Sequence, residues 1–171
     1  MPNESDTDTL TRPQYRDCYR RWRAQRFDQV VRTDFFAGFA GDEARLQKAM
    51  GVCEAILAEN PRHAEAMVWH GAGLLFQAGR SFQAGDAARG MQLFQIGLGE
   101  LHGAVALEPD NVAVLIPRGA VLLQATRTMD PAMGRPLLEQ AVADYEKVLA
   151  IQAGYFETLG DHPRGELLFG L

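Results

Sequence analysis

The fold of this chain is decided by a stretch that occurs twice: LAENPRHAEA at residues 57–66, followed by HGAGLL at 70–75. Forty-eight residues later, ALEPDN at 106–111 leads into RGAVLL at 118–123. In both copies an apolar helical run ends at a proline, a polar turn follows, and a second helix carries a glycine at the same offset. A fixed period of this size is typical of stacked helical hairpins, which bury their apolar faces on their neighbours. The repeat therefore predicts an all-α architecture of stacked hairpins.

Length and composition favour a chain with a substantial core. It has 171 residues, of which 47% are hydrophobic, and its net charge of −5 disfavours nucleic-acid binding by the molecule as a whole. Cys18 and Cys53 lack CxxC partners, so we expect neither a disulfide framework nor a zinc site. The start of the chain has no apolar signal-peptide core, and no run of about eighteen apolar residues occurs. These features predict a cytoplasmic protein.

Positive charge is concentrated near the N-terminus. Residues 12–32 carry seven arginines against Asp17 and Asp28, whereas residues 33–171 have a net charge of −7. Aromatic residues recur between the arginines at helical spacing, which predicts a basic amphipathic helix over residues 12–26. The side chains of this basic arm that we single out are Arg16, Arg20, Arg21, Trp22, Arg23 and Arg26.

Hydrophobic periodicity and helix-ending residues predict the order of the elements along the chain. The helices are expected over Asp42–Glu59, Ala64–Ala78 with Gly79 as C-cap, Asp86–Leu107, Asn111–Ala125 and Arg135–Ile151, with a loop over Ser81–Gly85. The domain organisation that follows is a disordered leader over 1–11, the arm over 12–26 and a repeat domain over 27–171, with units near 27–61, 62–109 and 110–153 and an incomplete unit over 154–171.

These residues resemble the tetratricopeptide repeat family of helix–turn–helix units. Gly71 and Gly119 match its small first-helix residue, and Pro61 and Pro109 match its closing proline. The resemblance implies a right-handed α-α superhelix with a concave groove lined by the first helices. The period of 48 exceeds the family's 34 by about fourteen residues, which we assign to the loop at 81–88 and to a longer second helix.

The resemblance also implies which side chains line the groove. They are Glu65, Val68, Trp69, Ala72, Leu75 and Phe76 from one unit, and Ala113, Ile116, Ala120, Leu123 and Gln124 from the next. The family's carboxylate-gripping lysines and asparagines are replaced by Val68, Ala72, Ile116 and Ala120. Such a groove favours an apolar or amphipathic segment of a partner protein over an acidic tail. The alternative is that the same residues form core, because a register error of one residue exchanges the two faces.

The leading functional hypothesis is a non-enzymatic adaptor or scaffold that binds a protein or peptide in this groove. The alternative is self-assembly into a homo-oligomer through the N-terminal arm or the incomplete C-terminal unit, where apolar residues occupy 167–171. A weaker alternative is contact of the basic arm with a membrane surface or with nucleic acid.

No pattern in the sequence indicates catalysis or a metal. The four histidines, His63, His70, His102 and His162, show neither HExxH spacing nor pairing with cysteine. Cys53 lies on an apolar helical row, which is typical of a buried small hydrophobe. We therefore expect no catalytic residues, no metal ligands and no cofactor.

Overall fold

The computed structural model describes residues 26–161 and 164–165, and this part of the chain consists of helices joined by turns, without a β-strand. It contains six α-helices and one short 3-10 turn at Phe156–Thr158. The helices are α1 (Phe27–Phe39), α2 (Glu43–Glu59), α3 (Ala64–Gln83), α4 (Ala87–Leu107), α5 (Val112–Thr126) and α6 (Pro131–Gln152). The predicted all-α class is confirmed for these residues.

The helices begin where the sequence supplies a side chain that can satisfy a free backbone N–H group. In five of the six described helices, the residue before the helix accepts a hydrogen bond from the first turn. These N-cap residues are Asp42, His63, Asp86, Asn111 and Asp130. The caps at His63 and Asn111 lie 48 residues apart, so the sequence repeat and the helix starts share one frame.

The chain divides into two compact units, Met1–Pro61 and Arg62–Leu171. The described part of the first unit is the α1–α2 hairpin. Its turn places Gly41 at φ +117°, a conformation that glycine adopts without steric cost. Gly38 lies so close to the neighbouring helix that an added Cβ would sit 2.6 Å from the Cβ of Leu46. The buried carboxylate of Asp34 pairs with Arg45 and, at 3.1 Å, with Lys48.

The second unit consists of two hairpins, α3–α4 and α5–α6, and α3 also packs against α5. Helix α3 is the central element and buries ten of its twenty residues. Helix α4 buries only four residues, two of which are glycines. Helix α3, which packs against both α4 and α5, is therefore more deeply buried than α4.

Several predicted boundaries are wrong, and the differences explain the long period. Helix α3 does not end at Gly79 but continues to Gln83, so Ser81–Gln83 are helical and the loop is only Ala84–Asp86. Gly85, at φ +83°, makes this turn. The extra residues of the 48-residue period thus lie in two long helices, of 20 and 21 residues, and not in a long loop.

Helix α6 begins earlier than predicted, at Pro131 and not at Arg135. A proline in the first turn of a helix loses no intrahelical hydrogen bond, and Asp130 caps the backbone N–H of Ala132 at 2.9 Å. The sequence Asp130-Pro131 is therefore a helix start, although the predicted helix began only at Arg135.

Candidate partner-binding surface

The two halves of the predicted groove differ in solvent exposure. In α3, the side chains of Val68, Trp69, Ala72 and Leu75 are buried, with exposed fractions of 0 to 6%. Glu65 and Phe76 are half-buried. Because α3 packs against both α4 and α5, its apolar residues form part of the core, which is the alternative that the sequence left open.

The α5 half of the predicted set is accessible. Ala120 and Gln124 are exposed, and Ala113, Ile116 and Leu123 are half-buried. We call the accessible row formed by Ala113, Ile116, Pro117, Ala120 and Gln124 the α5 face. Each member before Gln124 is followed by another member three or four residues later, so they lie on one side of the helix.

The opposite side of α5 fixes the helix in the fold. Leu115 and Leu122 are 1% and 0% exposed, and Leu115 forms an apolar cluster with Tyr145 and Val148 of α6. Gly119 contacts the same helix so closely that an added Cβ would lie 2.9 Å from Cε2 of Tyr145. This close approach holds α5 against α6. Ile116 of the α5 face also packs against the buried cluster, whereas Ala120 and Gln124 are exposed.

The only charged residue of α5, Arg118, forms an ion pair within the protein. Arg118 donates from Nε to Oδ2 of Asp144 at 2.7 Å and from Nη2 to Oδ1 at 2.5 Å, a two-point contact with a carboxylate. The two side chains are only 12% and 4% exposed. Because Arg118 is neutralised in this way, the α5 face carries no formal charge between Val112 and Thr126.

Pro117 lies in the interior of α5, within the helix predicted over Asn111–Ala125. Proline has no backbone N–H, so it cannot donate the usual helical hydrogen bond to the carbonyl of Ala113. Both residues belong to the α5 face. The face therefore combines small and aliphatic side chains with one backbone carbonyl that lacks its usual helical donor.

Two side-chain contacts between helices, each made by a histidine, were not predicted from the sequence. His70 of α3 contacts Glu100 of α4, with Nδ1 2.7 Å from Oε2. His102, two residues further on, contacts Gln140 of α6, with Nε2 2.8 Å from Oε1. The sequence alone shows that Glu100 and His102 are two residues apart and therefore lie on different sides of a helix. It could not pair them with their partners 30 and 38 residues away.

The basic arm falls almost wholly outside the described residues. Arg16, Arg20, Arg21, Trp22 and Arg23 are not described, whereas Arg26 stands at the N-cap position of α1. Its guanidinium donates to both carboxylate oxygens of Asp28 at 3.0 Å. One arginine of the predicted arm is therefore engaged in a local ion pair at the start of α1.

Within the described part of the chain, no group of three or more His, Cys, Asp and Glu side chains is arranged to hold a metal ion. Cys53, as predicted, is a buried residue of α2. Across these same residues, none of the helices combines the length and apolar character needed to cross a lipid bilayer.

Comparison with known proteins adds no relative to this description. No protein-family model, no curated protein and no solved structure matches the chain. The tetratricopeptide-like arrangement accordingly stays a resemblance, carried by the 48-residue frame and by the paired helices.

Proposed function

We propose that this protein is a non-enzymatic adaptor that binds an apolar or amphipathic helical segment of a partner protein on the α5 face. The observation that carries the proposal is the combination of Ala120 and Gln124 exposed and Ile116 half-buried on a row without formal charge. A partner helix that packs on such a row desolvates no ion, and its affinity comes from a few apolar anchors.

The proposal narrows the groove expected from the sequence. Leu75 and Val68 lie in the core, so a partner reaches the α5 side chains but not these residues. We further propose that the two hairpins belong to a right-handed tetratricopeptide-like superhelix in the cytoplasm, and that binding needs neither a metal nor a cofactor.

The test compares two alanine-to-glutamate variants in affinity capture from the source cell, with bound proteins quantified by mass spectrometry. Ala120→Glu places a charge on the α5 face, and Ala143→Glu places the same charge on an exposed position of α6. We expect a partner to be captured by the wild-type chain and by Ala143→Glu, and lost with Ala120→Glu. Capture of the same proteins by all three chains would contradict the proposed surface.

A charge at Leu75 is not a suitable alternative, because that side chain is 5% exposed and a buried unpaired carboxylate would unfold the protein. Circular dichroism melting curves of both alanine variants provide the folding control. An exposed alanine-to-glutamate change on a helix costs only a few tenths of a kcal/mol, so about 0.5 kcal/mol is the limit we expect.

Self-assembly is a second candidate, supported by exposed apolar side chains on α4. Met91 and Ile96 are 44% and 47% exposed, and an isologous contact between two copies would cover them. The apolar residues 167–171 and nearly all of the N-terminal arm, which first suggested self-assembly, lie outside the described residues. Light scattering of wild type and of an Ile96→Gln variant separates the two candidates: a mass that rises with concentration only in the wild type favours self-assembly.

A further inference from the structure

The α5 face ends at a positive charge. Arg127 follows the helix and keeps right-handed helical backbone angles, φ −60° and ψ −26°, so it continues the row of Pro117, Ala120 and Gln124. The intervals along this row are three, four and three residues. Arg127 is therefore the next side chain that a partner helix lying along α5 would meet.

The surroundings of Arg127 leave its charge available. The residue is exposed, and it forms no ion pair with any other residue that the structure describes. The nearest acidic residue in sequence, Asp130, accepts the backbone N–H of Ala132 as the cap of α6. By contrast, Arg118, nine residues earlier, is paired with Asp144 through two hydrogen bonds.

From this charge pattern we infer the chemistry of the partner: an amphipathic helix whose apolar row packs on the α5 face and whose one acidic residue, at the end of that row, pairs with Arg127. This inference rests on the proposed function, because it specifies the ligand of the same surface. An uncharged row that ends in one arginine is complementary to an uncharged row that ends in one carboxylate.

The overall charge of the chain would by itself favour the opposite kind of ligand. The net charge is −5, so long-range attraction favours a cationic ligand over an anionic one. A preference for an acidic partner requires a local contact with a cation. Arg127 supplies it at the end of the α5 face.

The experiment uses two synthetic helical peptides of about eighteen residues with blocked termini. Each has one row of leucine and alanine, glutamine at the other positions, and one charged residue at the end of the row, either glutamate or lysine. Binding to the full chain is measured by fluorescence anisotropy at low and at physiological ionic strength. We expect the glutamate peptide to bind about two- to fivefold more tightly, the range for one exposed ion pair, and the preference to shrink with added salt.

Two charge-reversed variants complete the design. Arg127→Glu is expected to reverse the preference, so that the lysine peptide binds more tightly. Arg89→Glu changes the same charge on an exposed residue in the first turn of α4 and is expected to leave the preference intact.

The outcomes distinguish this inference from the proposed function. If both peptides bind the wild type equally, or if the lysine peptide binds better, the partner chemistry inferred here is wrong while the α5 face remains a binding surface. The same conclusion holds if Arg127→Glu and Arg89→Glu alter the preference equally. If neither peptide binds, both the proposed function and this inference are contradicted.

Discussion

The hairpins α3–α4 and α5–α6 start in the same frame but are closed by different contacts. Each begins after a polar turn, and Gly71 and Gly119 occupy equivalent positions 48 residues apart. Gly71 faces Gly97, and a Cβ on either would lie 2.8 Å from the carbonyl oxygen of the other. Gly119 faces the ring of Tyr145 instead. The first hairpin thus brings two backbones together, whereas the second fills the gap with an aromatic core residue.

The residue before each glycine forms a pair with a carboxylate, and the two pairs differ in how deeply they are buried. His70 and Arg118 both reach a carboxylate on the following helix, Glu100 and Asp144 respectively. Asp144 is 4% exposed, whereas Glu100 is 23% exposed. The same repeat frame is thus closed in the first hairpin by backbone contact and a partly solvated pair, and in the second by an aromatic side chain and a buried pair. Only the second arrangement leaves an uncharged helix face with its own arginine neutralised.

The largest expected effect comes from breaking the buried pair. Asp144→Ala leaves the guanidinium of Arg118 buried without its carboxylate, and we expect the free energy of unfolding to fall by about 3–5 kcal/mol. The equivalent change in the first hairpin, Glu100→Ala, removes a partly solvated hydrogen bond, with an expected loss of about 0.5–1.5 kcal/mol. Urea unfolding followed by circular dichroism measures both values.

The control for this prediction removes both charges together. Arg118→Met combined with Asp144→Leu leaves no unpaired ion, so we expect most of the lost stability to return. If Asp144→Ala and Glu100→Ala prove equally destabilising, the difference between the two hairpins has no energetic meaning.

A smaller effect separates the two glycine contacts. In Gly71→Ala the new methyl group would meet a carbonyl oxygen of the α4 backbone at 2.8 Å, so a whole helix must shift. In Gly119→Ala it would meet the ring of Tyr145 at 2.9 Å, and a side chain can adjust more easily. Overpacking costs about 1–3 kcal/mol, and we expect Gly71→Ala near the upper limit and Gly119→Ala near the lower. Equal losses in thermal unfolding would show that the ring of Tyr145 is held as rigidly as the backbone.

The helix caps predict a difference in pH dependence. The ring Nδ1 of His63 accepts the backbone N–H of Ala66 at 3.2 Å, and protonation would turn this acceptor into a donor. Burial lowers the pKa of His63 below its ordinary value of 6.5, although the backbone hydrogen bond and Glu108 act in the opposite direction. The unfolded chain therefore binds this proton more tightly than the folded one. The contribution of His63 to the free energy of unfolding is fully present above pH 6.5, and it is lost as the pH falls through the lowered pKa of the folded state.

The variant His63→Asn copies the cap of the second hairpin, Asn111, into the first. We expect it to reduce the loss of stability between pH 7.5 and pH 5 by about 1 kcal/mol, the typical contribution of an N-cap. Denaturant unfolding at the two pH values gives the difference for each chain, and all other titrating groups are common to both. An unchanged difference would mean that the His63 cap does not sense pH.

The smallest expected effect has the opposite sign. Gly99 lies two residues from Gly97 on α4, but an added Cβ would have no atom within 4 Å. We expect Gly99→Ala to raise the free energy of unfolding by about 0.5–1 kcal/mol, because alanine loses less backbone entropy in a helix. A loss of stability would show that this exposed side of α4 packs on something in solution, as the self-assembly candidate requires.

Much of the fold could be predicted because its signals are local. Asp42, Asn111 and the proline at position 109 mark helix boundaries through interactions within a few residues, and the structure confirms those boundaries. Boundaries failed at Gly79 and at Pro131, where one residue type fits two local structures. Glycine can end a helix or sit within it when neighbouring helices hold the helix together, and proline can break a helix or begin one.

The candidate surface was predictable only in part. The sequence identified Ala120 and Gln124 as accessible residues of a first helix, but it assigned Leu75 and Val68 the same role. Both sets have the same apolar helical spacing, and periodicity does not say how many neighbours a helix has. The central position of α3, packed against α4 and α5, buries its set.

The helical class, the 48-residue frame and the absence of charge on α5 apart from Arg118 follow from the sequence, since each depends on residue type and spacing along one chain. The tertiary structure alone decided which apolar row is core, which cation is neutralised and which is left exposed. Those outcomes depend on helices that approach from distant points of the sequence: Asp144 reaches Arg118 from 26 residues away, whereas Arg127, nine residues beyond Arg118, has no such partner among the described residues.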